Sequence, residues 1–512
     1  MKEQKRTSFE MIFLVGFILL KFILSYILVN DIYELHRDEF LHLDQANHLA
    51  AGFTSVPPLT SLFSLIIKFL GNGIFWVRFF PALFGVLTMV FCWLIVGKLH
   101  GNLYSKCLVA VAFICSVFIR LNILYQPNSF DVLAWTAVFY FGISYFENLQ
   151  SNYIYCLAIS IALGFLNKYN ILFLVMGLLP AILITPRRAI FRDRHFYYAT
   201  LLAVVMISPN VIWQFNNDFP VIHHMKELAE TQLVNVKHID FFKDQMLSFI
   251  SDIFILLAAF LGFVIYKPFK KHLWVFLSYF ITLIIFSYFN AKAYYALGLY
   301  PILLAFGSVY ITELIKNRHA FFIGLMVFII GSFVYILPLV MPVYSPNKIV
   351  KEHKRFERVG ALRWEDGKNH DLPQDYADMQ GWVELAKITD SAYAQVKDKS
   401  AVVVRADNYG QTGAINYYSK YKDINAVSYN ADYLYWFKMD KPIKDLILIV
   451  ESGTANKELE KAEPFFEKAR LIGEVKNRWA RERGASVILF EEAKIDLNSR
   501  LESEIEERKN DH

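Results

Sequence analysis

Charged residues are scarce in this chain. Asp, Glu, Lys and Arg make up 19% of its 512 residues, against about 25% in a typical soluble domain. Apolar residues reach 55% and aromatic residues 16% of the sequence. A composition this apolar excludes an intrinsically disordered chain, a coiled coil and an ordinary water-soluble enzyme of this length.

Cysteine is also rare, and a strong basic excess is missing. The four cysteines all lie in or beside apolar segments, at Cys92, Cys107, Cys115 and Cys156. They provide no disulfide framework for the C-terminal sequence, so the redox compartment stays open. The net charge of +5 comes from 52 basic and 47 acidic residues, without a clustered basic stripe. No nucleic-acid partner is therefore predicted.

Long apolar runs divide the chain into two predicted domains. Residues 1–343 are rich in Leu, Ile, Phe and Val, whereas residues 344–512 have the mixed composition of a soluble domain with a charged tail. Runs of bilayer-spanning length predict about eleven transmembrane helices. We expect them at 10–29, 74–97, 106–121, 131–147, 153–166, 170–185, 196–213, 246–266, 272–289, 295–314 and 320–342. The first run lacks a small-residue cleavage site and is interpreted as a retained span.

The loops between these runs carry opposite charges in alternation. The first loop, residues 31–58, holds five acidic residues: Asp31, Glu34, Asp38, Glu39 and Asp44. The other set of loops is basic, with Lys2, Lys5, Arg6, Lys98, Lys106, Arg187, Arg188, Arg192, Arg194, Lys267, Lys270, Lys271, Lys316 and Arg318. The positive-inside rule then places the N-terminus in the cytoplasm of a bacterial-type inner membrane. An odd number of spans places the C-terminal domain outside, in the periplasm.

Unusual polar residues gather on the predicted external face. They occur in the segments 36–39, 125–131, 167–169, 209–214, 223–224 and 290–295. Ionisable groups at a membrane boundary are costly unless they face a cavity or a partner, so their convergence predicts a polar site. The alternative is that they are ordinary loop ends in contact with water. Residues 38–50 also have the apolar spacing of a short amphipathic helix lying in the membrane interface.

Several of these segments resemble a known superfamily. The matching elements are Asp38-Glu39, then HLAAGF at 48–53, PPL at 57–59, VRFFPAL at 77–83, NSFD at 128–131, LNKY at 166–169 and KAYY at 292–295. In this order they resemble the polyprenyl-phosphate-dependent glycosyltransferases of the GT-C type, which include protein O-mannosyltransferases and lipid A aminoarabinose transferase. LPQDYADM at 372–379 and NYGQTGA at 408–414 resemble the domain attached to bacterial members. The resemblance thus implies a GT-C-like membrane domain followed by an extracytoplasmic domain.

The resemblance also implies an activity. A sugar would move, with inversion, from a polyprenyl-phosphate donor to a hydroxyl or phosphate of a lipid, glycan or protein at the external membrane face. Such a reaction needs a carboxylate base for the acceptor proton and cations for the departing phosphate. Asp38 matches the catalytic acidic position of the family, and Asp131 matches a second acidic position that supports the acceptor or Asp38. Glu39, next to Asp38, is included with the catalytic residues, with a role in orienting the loop or the acceptor.

Basic and aromatic residues complete the predicted site. Lys292 is the first candidate for the donor phosphate, because an ammonium at the membrane surface suits a phosphate headgroup. Arg78 and Lys168 are the other two candidates, while Lys292 could equally snorkel to lipid headgroups. Substrate-binding residues are predicted at Tyr294, Tyr295, Asn128 and His223. The two tyrosines could also be ordinary interface anchors.

A divalent metal is possible but not diagnosed by any spacing. His36, Asp38 and His42, or His223 and His224, could ligate a cation if their loops meet. One departure from the family bears on this point. Many members carry a polar or charged residue directly before the Pro-Pro-Leu element, in a neighbourhood that helps to bind metal or lipid phosphate, whereas this chain has Val56.

The C-terminal sequence alternates between strand and helix patterns. Short apolar runs at 401–405, 446–450 and 486–490 predict buried strands, and 382–396 and 410–418 predict helices. This alternation is typical of a small α/β domain.

Two other functions compete with a glycosyltransferase. A transporter or flippase of lipid-linked sugars would also have many spans, but it would need ionisable residues inside several of them. A non-catalytic sensor would not explain the acidic first loop. The one-sided polar cluster favours an enzyme acting at the membrane surface.

Overall fold

The computed structural model describes residues 2–231, 238–316 and 318–511. The side chains of residues 2–7, 231, 510 and 511 lie outside the description, and with them the basic groups Lys2, Lys5 and Arg6 used above for orientation. The α-helices up to residue 340 are α1 (Lys2–Ile27), α2 (Arg37–Asp44), α3 (Leu59–Phe69), α4 (Ile74–Lys98), α5 (Leu103–Ile114), α6 (Phe118–Leu121), α7 (Pro127–Asn148), α8 (Ser151–Asn167), α9 (Ile171–Leu183), α10 (Arg194–Asn216), α11 (Pro220–Thr231), α12 (His238–Ser248), α13 (Ile253–Ile265), α14 (Leu273–Tyr288), α15 (Tyr300–Ile315) and α16 (His319–Val340).

Shorter helices and five strands follow. The remaining α-helices are α17 (Pro346–Lys351), α18 (His353–Arg358), α19 (Gln374–Ala377), α20 (Trp382–Tyr393), α21 (Tyr409–Tyr418), α22 (Ala455–Ala462) and α23 (Leu497–Asp511). The 3-10 helices are Gln45–Asn47, Pro186–Arg192, Lys267–His272, Ala293–Leu299, Ala431–Tyr435 and Glu463–Phe465. The strands are β1 (Val402–Ala406), β2 (Ala426–Ser428), β3 (Asp445–Val450), β4 (Phe466–Glu474) and β5 (Ser486–Ala493).

The apolar helices identify a multi-pass membrane protein. Among the described residues, seven helices are long and apolar enough to cross a membrane, or up to nine if each of two bent helix pairs is one span. This is fewer than the predicted eleven, because α5 and α8 have only 12 and 17 residues. At about 1.5 Å per residue they are about 18 and 26 Å long, short of a hydrocarbon core of about 30 Å.

The C-terminal part contains a small mixed sheet with the strand order β2-β1-β3-β5-β4. Strand β1 pairs in parallel with β2 and β3, whereas β5 is antiparallel to β3 and β4. The predicted strands at 401–405, 446–450 and 486–490 correspond to β1, β3 and β5. Helices α20 and α21 begin close to their predicted positions. The predicted α/β character is therefore confirmed.

Helix α2 differs from its predicted environment. Its residues from Glu39 to Asp44 are all buried, and the Phe40 ring lies 5.7 Å from that of Trp382 and 5.6 Å from that of Tyr418. The prediction of a helix lying in the membrane interface is therefore wrong for α2, because the C-terminal part covers its apolar face. Helix α3 has that character instead, with Leu62, Ile66 and Phe69 exposed and its hydroxyl side chains buried.

One apolar core joins the membrane helices to the C-terminal part. It includes Leu35 and Phe40 of the first loop and helix, Phe80 of α4, and residues of α20 and of the sheet such as Trp382 and Ile447. A second core, formed by the other sheet face and α23, includes Leu448, Ile488 and Leu501. The sheet is thus sandwiched, and one of its faces is directed toward the first loop. This packing places the C-terminal part directly over Asp38.

Candidate active site

Asp38 lies in the first turn of α2, whose N-terminus is closed by its own sequence. The His36 side chain accepts a hydrogen bond from the Asp38 N–H (3.2 Å), and the Glu39 carboxylate accepts one from the His36 N–H (2.6 Å). This reciprocal pair is a capping box, with His36 in the position usually taken by Ser or Thr. The loop before α2 is thereby fixed. The Asp38 side chain remains 39% exposed and accessible to a substrate.

Two side chains from distant parts of the chain hold the Asp38 carboxylate. The Tyr409 hydroxyl donates to Oδ1 (2.7 Å), and the Gln126 amide donates to Oδ2 (2.9 Å). Burial acts to raise the pKa of Asp38, but His36, the Tyr409 hydrogen bond and Arg37 outweigh it and hold that pKa below its ordinary value. Asp38 is therefore a carboxylate at neutral pH, as a general base must be.

A chain of hydrogen bonds connects Asp38 to Lys168. The Lys168 ammonium donates to Asn128 Oδ1 (2.7 Å), and Asn128 Nδ2 donates to Gln126 Oε1 (2.9 Å). Gln126 then donates to Asp38, so all three bonds run in the same direction. The sequence predicted Asp38, Asn128 and Lys168 as site residues, and the fold brings these three residues together.

Two further groups of predicted site residues surround Lys168. Its ammonium lies 5.1 and 4.5 Å from the ring centroids of Tyr294 and Tyr295, within range of cation–π attraction. Burial lowers the pKa of Lys168 to about 8, with Asp131 opposing that shift and Lys292 adding to it. Lys292 therefore lies close enough to act on the charge of Lys168. Lys292 itself donates to Glu365 of the C-terminal part (3.1 Å).

Asp131 has a structural environment. The carboxylate is buried, and it accepts hydrogen bonds from Trp135 Nε1 (2.9 Å) and Asn170 Nδ2 (2.8 Å). The same Asn170 amide donates to the Tyr295 carbonyl (2.9 Å). Asp131 thereby positions the segment that carries the two tyrosines. This geometry favours its predicted supporting role.

Three predicted residues lie elsewhere or act differently. Glu39 is 2% exposed, and its two oxygens accept the backbone N–H groups of His36 and Tyr125. It holds the loop, which corrects its inclusion among the catalytic residues, because neither oxygen faces the exposed side of α2. The charge of Arg78 acts on Glu39 and Tyr417. His223 is exposed on α11, and no contact among the described residues joins it to Asp38 or Lys168.

The proposed metal ligands do not converge. Within residues 2–231, 238–316 and 318–511, no three His, Cys, Asp or Glu side chains form a group that could hold a metal ion. His36 Nδ1 lies 3.9 Å from Asp38, but it is occupied in capping α2. His42 is buried against Gln45. The residues present therefore do not fit the metal site considered from the sequence.

Sequence reasoning gave no role to Gln126 and Tyr409, although both contact Asp38. Both occur in segments that the sequence singles out, Gln126 within 125–131 and Tyr409 within 408–414. The Gly410–Gly413 spacing was a further signal, because two small residues on one side of a helix allow another helix to approach closely. Neither signal could identify the partner, since Tyr409 and Asp38 are 371 positions apart.

Comparison with known proteins agrees with this arrangement. Residues 55–213 match the family model described as dolichyl-phosphate-mannose-protein mannosyltransferase. That segment contains Gln126, Asn128, Asp131 and Lys168. No curated protein sequence matches the chain.

The fold has a close counterpart among solved structures. The structure of ArnT from Cupriavidus metallidurans bound to undecaprenyl phosphate superposes with a TM-score of 0.61 at 12% identity, covering 93% of this chain and 98% of that one. The apo structure of the same protein gives a TM-score of 0.63 at 11% identity, with 93% and 97% covered. The two chains therefore share the GT-C fold over nearly their whole lengths. Together with the match to the mannosyltransferase family model, this fold makes the chain a glycosyltransferase of the GT-C type.

Proposed function

We propose that this protein transfers a sugar, with inversion at the anomeric carbon, from a polyprenyl-phosphate donor to an acceptor hydroxyl. The observation that carries the proposal is the hydrogen-bonded chain from Lys168 through Asn128 and Gln126 to Asp38. It holds an accessible carboxylate and a cation in one site at a fixed separation. A single displacement needs those two groups on opposite sides of the reacting carbon.

Asp38 acts as the general base. The acceptor oxygen attacks the anomeric carbon, its proton passes to the Asp38 carboxylate, and the bond from carbon to the phosphate oxygen breaks. The phosphate leaves with that electron pair, so the sugar is inverted at one centre. A carboxylate oxygen has two acceptor positions. The bonds from Tyr409 and Gln126 therefore leave Asp38 able to accept the substrate proton.

Lys168 and Lys292 stabilise the departing phosphate. Charge develops on the phosphate oxygens as the glycosidic bond breaks, and fixed cations in a partly buried site stabilise that charge. Lys292 lies between α14 and the segment Ala293–Ile315, both of them in candidate membrane spans. A phosphate anchored by a lipid chain would be held at this level of the membrane. Its pairing with Glu365 keeps the Lys292 side chain 23% exposed in the absence of substrate.

The donor class follows from the comparisons and the membrane setting. The matching family model is described by a dolichyl-phosphate sugar, and the ArnT structure holds undecaprenyl phosphate. Both are polyprenyl phosphates. We expect the site on the external face of the inner membrane, because the positive-inside rule places the acidic first loop there. A lipid, glycan or protein acceptor would approach from the aqueous side.

The Asp38→Asn variant tests this function. It keeps the size of the side chain but removes the proton acceptor, so transfer from a radiolabelled polyprenyl-phosphate sugar should fall by about 10²–10⁴-fold. Binding of polyprenyl phosphate should be unchanged. Asp31→Asn, an exposed acidic residue of the same loop, is the matched control and should transfer normally. Retained turnover in Asp38→Asn would contradict the proposal, and donor translocation without transfer would support a transporter instead.

A further inference from the structure

Helix α21 of the C-terminal part lies directly against α2, and two glycines permit this approach. A Cβ atom on Gly413 would lie 2.6 Å from the Cβ of Phe40 and 3.1 Å from its backbone carbonyl carbon. A Cβ atom on Gly410 would lie 2.6 Å from Cγ of Arg37. Any larger residue at either position would have to displace a neighbour. The spacing between α2 and α21 is therefore set by the sequence of α21.

The same packing fixes Tyr409 at the start of α21. Asn408 caps the helix by accepting a hydrogen bond from the Gln411 N–H (3.0 Å), and Asn430 accepts one from the Tyr409 N–H (3.3 Å). The Arg37 guanidinium lies 4.5 Å from the centroid of the Tyr409 ring. Backbone and ring are thus both held. The hydroxyl can reach Asp38 Oδ1 in one direction, at 2.7 Å.

We propose that Tyr409 is a positioning residue for the transfer reaction, holding the Asp38 carboxylate in its reactive orientation and in its charged form. The C-terminal part would then complete the active site by supplying this hydroxyl. The inference rests on the proposed role of Asp38 as general base. It goes beyond that role in naming a residue 371 positions away on which the base depends.

The hydroxyl of Tyr409 is a permanent donor. Burial and the nearby Asp38 carboxylate raise the pKa of Tyr409 far above its ordinary value, so the phenol stays protonated over the whole working range. A donor directed at a carboxylate stabilises its charged form. Other groups facing Asp38 also act on its charge, and they are His36, Arg37, His42, Asp378 and Tyr294. Those groups stay in place when the Tyr409 hydroxyl is removed.

The Tyr409→Phe variant removes the hydroxyl and keeps the ring over Arg37. Loss of the bond should raise the pKa of Asp38, so the acidic limb of the kcat/KM profile should move to higher pH by about one unit. In the lower part of that limb the activity should fall about tenfold. At neutral pH the loss should be smaller, because Asp38 remains charged. Transfer should be measured between about pH 3 and 8.

Tyr417→Phe is the matched control. Tyr417 lies on the same helix, and its hydroxyl donates to the Asn72 carbonyl of the membrane part, also at 2.7 Å. That variant removes an equivalent bond between the two parts without touching Asp38, so it should leave the acidic limb in place. Equal shifts in both variants, or no shift in Tyr409→Phe, would overturn the inference. The proposed function fails separately, since that requires turnover by Asp38→Asn.

Discussion

At the scale of single residues, Lys168 must keep a positive charge in a place that opposes it. Burial lowers the pKa of Lys168 to about 8, the Asp131 carboxylate raises it, and the ammonium of Lys292 lowers it. An ordinary lysine with a pKa of about 10.4 would stay charged throughout. Lys168 instead loses its proton as the pH rises through about 8. The proposed phosphate site therefore weakens on the alkaline side.

We expect the KM for the donor to rise above about pH 8, approaching tenfold per pH unit if this charge is required. Lys168→Arg should abolish that rise, because a guanidinium stays charged at any working pH. Asp131→Asn should move the rise to lower pH, because it removes the negative charge that supports the Lys168 ammonium. Donor KM against pH in the three proteins is the measurement. A parallel alkaline rise in Lys168→Arg would show that another group titrates.

At the scale of elements, the contact between α2 and α21 determines whether the site is assembled. Gly413→Ala would place a methyl group 2.6 Å from Phe40 Cβ and 2.7 Å from the Tyr433 hydroxyl. Overpacking of this kind costs about 1–3 kcal/mol. The helices must separate, and Tyr409 moves away from Asp38.

We therefore expect Gly413→Ala to lower both thermal stability in detergent and the rate of sugar transfer. Gly331→Ala is the control, because a Cβ atom there has no neighbour within 4 Å. That variant should be close to neutral in both assays. Full activity in Gly413→Ala would mean that the spacing of the two helices is unimportant for catalysis.

The element scale also shows which parts of the fold were predictable. Each predicted apolar run forms a helix, because hydropathy is a local property of the sequence. Strands β2 and β4 were not predicted. β2 has only 3 residues, and β4 is an edge strand whose side chains are mostly exposed and include Lys468 and Arg470. Neither has the continuous apolar run by which β3 and β5 were recognised.

At the scale of the whole molecule, the membrane helices and the C-terminal part share a core. Phe40 is 1% exposed, and its ring contacts those of Trp382, Tyr417 and Tyr418. Truncation of a buried Phe to Ala costs about 3–5 kcal/mol. This loss falls on the boundary between the two parts. It should therefore loosen the docking of one on the other.

We expect Phe40→Ala to lower the unfolding temperature and to accelerate tryptic cleavage within residues 344–512. Leu471→Ala, on the exposed side of β4, should change stability by less than about 0.5 kcal/mol. Both can be followed by limited proteolysis in detergent micelles. Unchanged cleavage of Phe40→Ala would show that the C-terminal part is held by other contacts.

The sequence by itself determined the membrane class, the α/β character of the C-terminal part and most of the polar site. Asp38, Asn128 and Lys168 could be predicted because they follow or precede apolar helices, and helix ends meet at a membrane face. Only the tertiary structure decided that α2 is buried, that Glu39 caps it and that Tyr409 reaches Asp38. Hydropathy and helix caps act over a few residues, whereas these contacts depend on how distant segments pack. Charge scarcity marked the chain as a membrane protein, and packing assembled its few charges into a site.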